Sequence, residues 1–179
     1  MKQRSSSRRD KNEFFDSIHV NGGFTIPSGN NIYIYRKDEY SKVILHEFIH
    51  HIHIINDSLF TLNSYHINLL KKIFNISNCT QLLPAEGVVE FWATIFNTIF
   101  ISIEYNFSFK LLIKKEIDFS IYQIFKIINN YKHHIWKETT NVFSYFFIKT
   151  ILLFNYKKFL LLNIPYNHKK FIDFIFNYI

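Results

Sequence analysis

Val43-Ile44-Leu45-His46-Glu47-Phe48-Ile49-His50-His51-Ile52 is the stretch on which the reading of this chain turns. It contains the pattern HExxH, with His46 and His50 four residues apart. On a helix, residues i and i+4 project from one face, so both imidazoles can reach one metal ion. Glu47 lies beside them, placed to act as general base on a zinc-activated water. Val43, Ile44, Leu45, Phe48, Ile49 and Ile52 surround the polar residues. That density of apolar side chains predicts a buried helix, where ionisable groups need a partner or a metal. The alternative, a surface helix with solvated histidines, would carry more charge.

Two histidines and a water leave zinc one protein ligand short. An extended HExxHxxGxxH motif does not supply it, because position 53 is His53 and position 56 is Asn56. Downstream, Pro84-Ala85-Glu86-Gly87-Val88-Val89-Glu90-Phe91-Trp92-Ala93 offers carboxylates. Pro84 suits the first turn of a helix, which puts Glu86 and Glu90 one turn apart on one face.

Over about residues 32 to 97 the chain resembles the gluzincin metallopeptidases, which pair an HExxH helix with a later helix bearing ExxxD. The resemblance implies a zinc ion held by His46, His50 and Glu86, with Glu90 hydrogen-bonded to His46 and orienting it. Here Glu90 stands where the family has Asp. Its longer arm leaves the reversed assignment of the two glutamates open, and motif order favours Glu86 as ligand. The stretch Ile34-Tyr35-Arg36-Lys37-Asp38-Glu39-Tyr40-Ser41-Lys42-Val43 is also similar to predicted metallopeptidases of giant DNA viruses.

Composition sets the outer bounds. A chain of 179 residues suits one domain, read as a basic tail over 1–12 followed by a single zincin-like domain over 13–179. Aromatics make up 19% of the chain, with 21 Phe, while Gly, Ala and Pro are scarce. Such a bias is what an AT-rich genome produces, so an apolar residue here is a weak sign of burial. The net charge of +7 is concentrated at the start, where Lys2, Arg4, Arg8, Arg9 and Lys11 face only Asp10. A basic, Ser-rich tail reads as a solubilising terminus or a weak contact for acidic partners. Cys79 is the one cysteine, which fits a reducing, cytoplasmic setting, and it reads as a packing residue. No signal peptide and no uninterrupted apolar span of bilayer length are evident. A Gly-rich phosphate loop, CxxC and nucleic-acid modules are absent from the sequence, so no specific nucleic-acid partner is expected.

Along the chain, Phe14 to Ile18 reads as a short helix or docking segment. Phe24-Thr25-Ile26 and Ile32 to Tyr35 read as a hairpin about Pro27-Ser28-Gly29-Asn30-Asn31, its second strand a candidate to bind extended peptide. The motif helix is expected from Asp38 as N-cap to about Ile55, a further helix from Leu62 to Phe74, and the glutamate helix from Pro84 to about Tyr105. Asp118 is read as the cap of a helix ending near Tyr131. Others are expected over Asn141 to Tyr156 and His168 to Tyr178, separated by Pro165.

The expected fold is α+β and mainly α-helical: a minimal zincin-like core with a small N-terminal antiparallel sheet. The expected activity is zinc-dependent hydrolysis of peptide or protein substrates with Glu47 as general base. An oxyanion donor is sought among Tyr65, His66, Tyr131, His133, His134, Tyr166 and His168. His51 and His53 are expected to be no ligands. The competing expectation is an inactive zinc-binding protein, or a helical interaction protein whose motifs coincide by chance.

Overall fold

In the computed structural model the described residues are 21–26, 29–77, 80–131, 135–162 and 168–179, with side chains left out at 130, 131 and 168. Two short strands, β1 (Gly23–Thr25) and β2 (Ile32–Ile34), pair antiparallel with Phe24 opposite Tyr33. The hairpin therefore forms where turn residues separate two β-prone runs, one residue earlier at β1 than the sequence suggests. Phe24 and Tyr33 stack at 4.7 Å across the pair.

The motif helix, α1, spans Tyr40–His51. It is shorter than expected at both ends. Glu39, not Asp38, is its N-cap and makes no side-chain cap bond. The helix ends at Ile52, because His53 takes a left-handed φ of 50° that no continuing helix allows. Asn56 caps a short 3₁₀ turn over Asp57–Phe60 by accepting from the Ser58 N–H at 3.0 Å. Helix α2 (Ser64–Ile73) starts at Asn63, whose side chain accepts from the His66 N–H at 2.9 Å.

Helix α3 (Pro84–Glu104) is the centre of the fold and matches expectation, with Pro84 in its first turn. Ile49 of α1 meets Val89 and Ala93 of α3, all buried. This small apolar seam sets the distance between the two helices that carry the site. The long apolar α3 is the one described helix with the length and composition to cross a membrane, and half of that window is buried within the fold.

Helix α4 (Phe109–Tyr131) begins nine residues before Asp118, so Asp118 is mid-helix and not a cap. The Ser108 carbonyl already accepts from the Leu111 and Leu112 N–H groups, and Asn106 makes the preceding turn at φ 53°. The stretch read as one helix from Asn141 to Tyr156 is three pieces. A π-helical turn covers Ser144–Ile148, α5 covers Lys149–Phe154, and α6 covers Tyr156–Leu160. Asn155 separates the last two by leaving helical geometry and donating its side-chain amide to the Ile151 carbonyl. Helix α7 (His168–Asn177) closes the chain. The N-terminal tail, Phe14 to Ile18, Pro27, Ser28, Cys79, His133, His134, Pro165 and Tyr166 lie outside the described residues.

The observed architecture is mainly helical with a two-stranded antiparallel sheet. One expectation is overturned: α1 is not buried all round. Tyr40, Ile44, Phe48 and Ile52 form an i, i+4 stripe facing outward, while Val43, His46, Glu47 and Ile49 face inward. The helix is covered by α3 on one side and the hairpin on another, which leaves a third face open.

The π turn is clasped against α3. A Cβ on Gly87 would lie 2.6 Å from Ile148 Cβ and 2.8 Å from the Ser144 carbonyl oxygen. Only glycine permits this approach. Gly87→Ala is therefore expected to lower stability by about 1–3 kcal/mol through overpacking, read as a shifted midpoint in urea unfolding. An unchanged midpoint would show that the π turn can retreat without loss.

Candidate metal centre

His46 and His50 stand one turn apart on the inner face of α1, and Glu86 reaches them from the first turn of α3. Glu86 Oε2 lies 3.6 Å from His46 Nε2 and 3.3 Å from His50 Nε2. One donor atom from each of the three residues falls within 4.8 Å of the others. Glu86 Oε2 is buried and has no partner in hydrogen-bond geometry among the described residues, its close polar neighbours being the two imidazoles. Two imidazole nitrogens and a carboxylate oxygen thus converge on one point without satisfying one another. Donors bound to a tetrahedral zinc at about 2.0–2.1 Å stand about 3.3–3.4 Å apart, so the residues present fit such an ion. His51 and His53 are outside this group. His51 Nδ1 instead lies 3.4 Å from Thr25 Oγ1, and His53 is exposed in the turn.

Behind the donors, Glu90 Oε2 is 2.9 Å from His46 Nδ1. Its other oxygen takes the Lys42 ammonium. Glu90 therefore fixes the His46 ring by accepting the Nδ1 proton, which leaves Nε2 free towards Glu86 and His50. Of the two glutamates, Glu86 is the one that stands with His46 and His50, and Glu90 lies behind His46. Lys42 was not anticipated. It lies one turn before His46 on the same helix face, and that i, i+4 relation was the available signal.

The charges depend on one another. Burial works against a charged His46, but Glu86 and Glu90 outweigh it and raise its pKa to about 9. Burial likewise works against the carboxylates. The paired histidines nevertheless bring Glu86 down to about 2, and Lys42 with His46 holds Glu90 well below the usual carboxylate range. The metal-free His46 contribution to stability is full below its ordinary pKa of 6.5 and is lost as pH rises through about 9. The Glu86 contribution is present above 4.5 and lost as pH falls through about 2. A metal needs His46 neutral at Nε2, so affinity for zinc is expected to climb between pH 6.5 and about 9, as measured by chelator competition. A flat profile over that interval would show that His46 is neutral before the metal arrives.

Glu47 faces the hairpin. Burial raises its pKa, while His46, His50 and a hydrogen bond from the Thr25 backbone act in the opposite direction. The Gly22 carbonyl accepts from the Tyr35 N–H, so alternation along the ladder turns Gly23 and Thr25 towards the outer edge of β1. Glu47 thus meets the outer edge of β1, while β2, the strand singled out from the sequence, is the other edge of the two-stranded sheet.

Tyr145, on the π turn, was missed among the 11 tyrosines of the sequence. Its ring stands edge-on to His46 at 5.7 Å, and it lines a cavity together with His46 and Glu47. Burial, followed by the nearby Glu86, pushes its phenol up, so the O–H stays protonated. Of the tyrosines and histidines considered from sequence, Tyr65 is exposed against His66, and His66 lies against Phe176. Tyr131 and His168 are described only in backbone. The one usable sign of Tyr145 was a phenol within the apolar run Val142 to Ile148.

Comparison of the chain with known protein families, with curated proteins and with solved structures gives no match.

Proposed function

We propose that the protein is a zinc-dependent metallopeptidase of gluzincin type, built on a minimal zincin-like core. The observation that carries this reading is the convergence of His46 and His50 on Glu86 Oε2, at 3.6 and 3.3 Å with all three donors within 4.8 Å, and Glu47 next to them. A bound zinc would supply a Lewis acid that polarises the scissile carbonyl and acidifies water. Every other part of the chemistry belongs to the chain.

His46, His50 and Glu86 hold the ion, and Glu90 keeps His46 in the tautomer that presents Nε2. Lys42 balances the charge on Glu90. The Glu47 carboxylate takes a proton from the attacking water and passes it to the leaving amine. Its burial favours the protonated form, which makes it a better base than a solvated glutamate. The Tyr145 O–H donates to the carbonyl oxygen as negative charge develops there. The outer edge of β1 at Gly23 is offered to an extended peptide, the Thr25 N–H being held by Glu47. Such a role for Tyr145 predicts that Tyr145→Phe lowers kcat by about 10²-fold with little change in KM. A KM effect alone would reassign it to substrate binding.

The test is elemental analysis of the purified protein together with cleavage of a fluorogenic peptide library. About one zinc per chain and cleavage that stops on chelation are the expected results. Zinc without cleavage of any peptide leaves an inactive zinc-binding protein. No zinc after reconstitution removes the reading.

A further inference from the structure

The cavity that His46, Glu47 and Tyr145 share extends away from the triad along Lys42, Phe119 and Gln123 to Lys149. Lys149 sits one turn beyond Tyr145 on the π turn–α5 segment and is only 6% exposed. It makes no ion pair with any described residue. Its one close partner is the face of Phe146, 5.8 Å from the ammonium. Glu90, Glu116 and Glu39 act on it only beyond ion-pair distance, and the two oxygens of Glu90 already meet Lys42 and His46. Lys42 is already shared between Glu90 and Glu39. Burial pushes this amine's pKa down and only distant carboxylates oppose that, so an anion entering the cavity would stabilise its charged form.

Building on the metallopeptidase reading, we infer that this cavity receives a carboxylate of the peptide substrate, bound by Lys149, and that Lys149 sets substrate preference. Three observations fix the class of ligand. His46, Glu47 and Tyr145 line the cavity while His50 and Glu86 do not, so an occupant would lie beside the general base, on the Glu90 side of His46. Phe119 and Phe146 line it, which suits the apolar stem of a side chain or a C-terminal residue. Glu39, Glu47 and Glu90 also line it, and three carboxylates against Lys42 and Lys149 disfavour a dianion such as a phosphate more than a single negative charge. An acidic side chain and a free C-terminus share that chemistry.

The test uses the full-length, zinc-loaded Glu47→Gln protein, which holds peptides without turning them over. One Glu is walked along a neutral, end-capped, fluorescently labelled peptide. The parent peptide is also compared with free-acid and amidated C-termini. Anisotropy titration is expected to show about tenfold tighter binding for one source of carboxylate at one position. A preferred internal position identifies a side chain, and a preferred free acid identifies the C-terminus. Adding Lys149→Met is expected to remove that preference, while Lys149→Arg keeps it. Circular dichroism melting checks that both variants are folded, and the Arg variant decides the matter if the Met variant is not. Equal binding of acidic and neutral peptides, or a preference that survives Lys149→Met, overturns the inference. With zinc bound and neutral peptides cleaved by the wild type, that result leaves the metallopeptidase reading standing. Absence of zinc or of any peptide binding overturns both.

Discussion

Glutamine at position 47 is expected to lower peptide hydrolysis by about 10²–10⁴-fold, the usual worth of a positioned general base. Zinc content stays at the wild-type level, because Glu47 is not one of the three converging donors. The substitution keeps shape and removes the proton acceptor. It also preserves an oxygen that can accept the Thr25 N–H, so the hairpin keeps its hold on α1. Stopped assays on the zinc-loaded variant, with elemental analysis of the same sample, measure both quantities. Retained activity would assign the base elsewhere, and lost zinc would make Glu47 part of the metal site.

The second large effect falls on the metal itself. Glu86→Gln is expected to abolish stoichiometric zinc binding, since it removes the only carboxylate among three donors and leaves two histidines. Glu90→Gln is expected to keep zinc but to weaken it by about 10–100-fold, the usual effect of losing the partner that orients a ligating histidine. It also strands the Lys42 ammonium, whose other carboxylate contact, Glu39, is 3.6 Å away. Elemental analysis and chelator competition on both variants separate the roles. If Glu90→Gln loses the metal and Glu86→Gln retains it, the roles of the two glutamates are the reverse of those assigned here.

The part of the site that was legible in sequence is the part built from helical spacing. His46, Glu47 and His50 are related by one turn, as are Glu86 and Glu90, and Pro84 marks where their helix starts. Local periodicity is enough to put such residues on one face. Tyr145 and Lys149 were invisible because they reach the site through a tertiary contact, at a glycine where α3 and a π turn meet closely. No spacing rule links residue 145 to residue 46. The misread boundaries have other causes. Asp118 is a good cap by type, but the Ser108 carbonyl starts that helix earlier. Ile44 and Phe48 looked like core and are exposed, as expected when a composition rich in Phe and Ile weakens the link between apolar character and burial.

Two of the metal donors lie one turn apart on α1, while the Glu90 that braces His46 is 44 residues further along the chain and Glu86 is on the same distant helix. The histidine pair exists as soon as that single helix forms, an event of about a microsecond. The carboxylate arrives only when a long loop has closed and the Ile49–Val89–Ala93 seam has formed. The three-donor arrangement is thus a property of the docked helices and not of the motif. A nascent chain that has released only α1 would present the two imidazoles without the carboxylate, and the complete triad waits for α3 to dock.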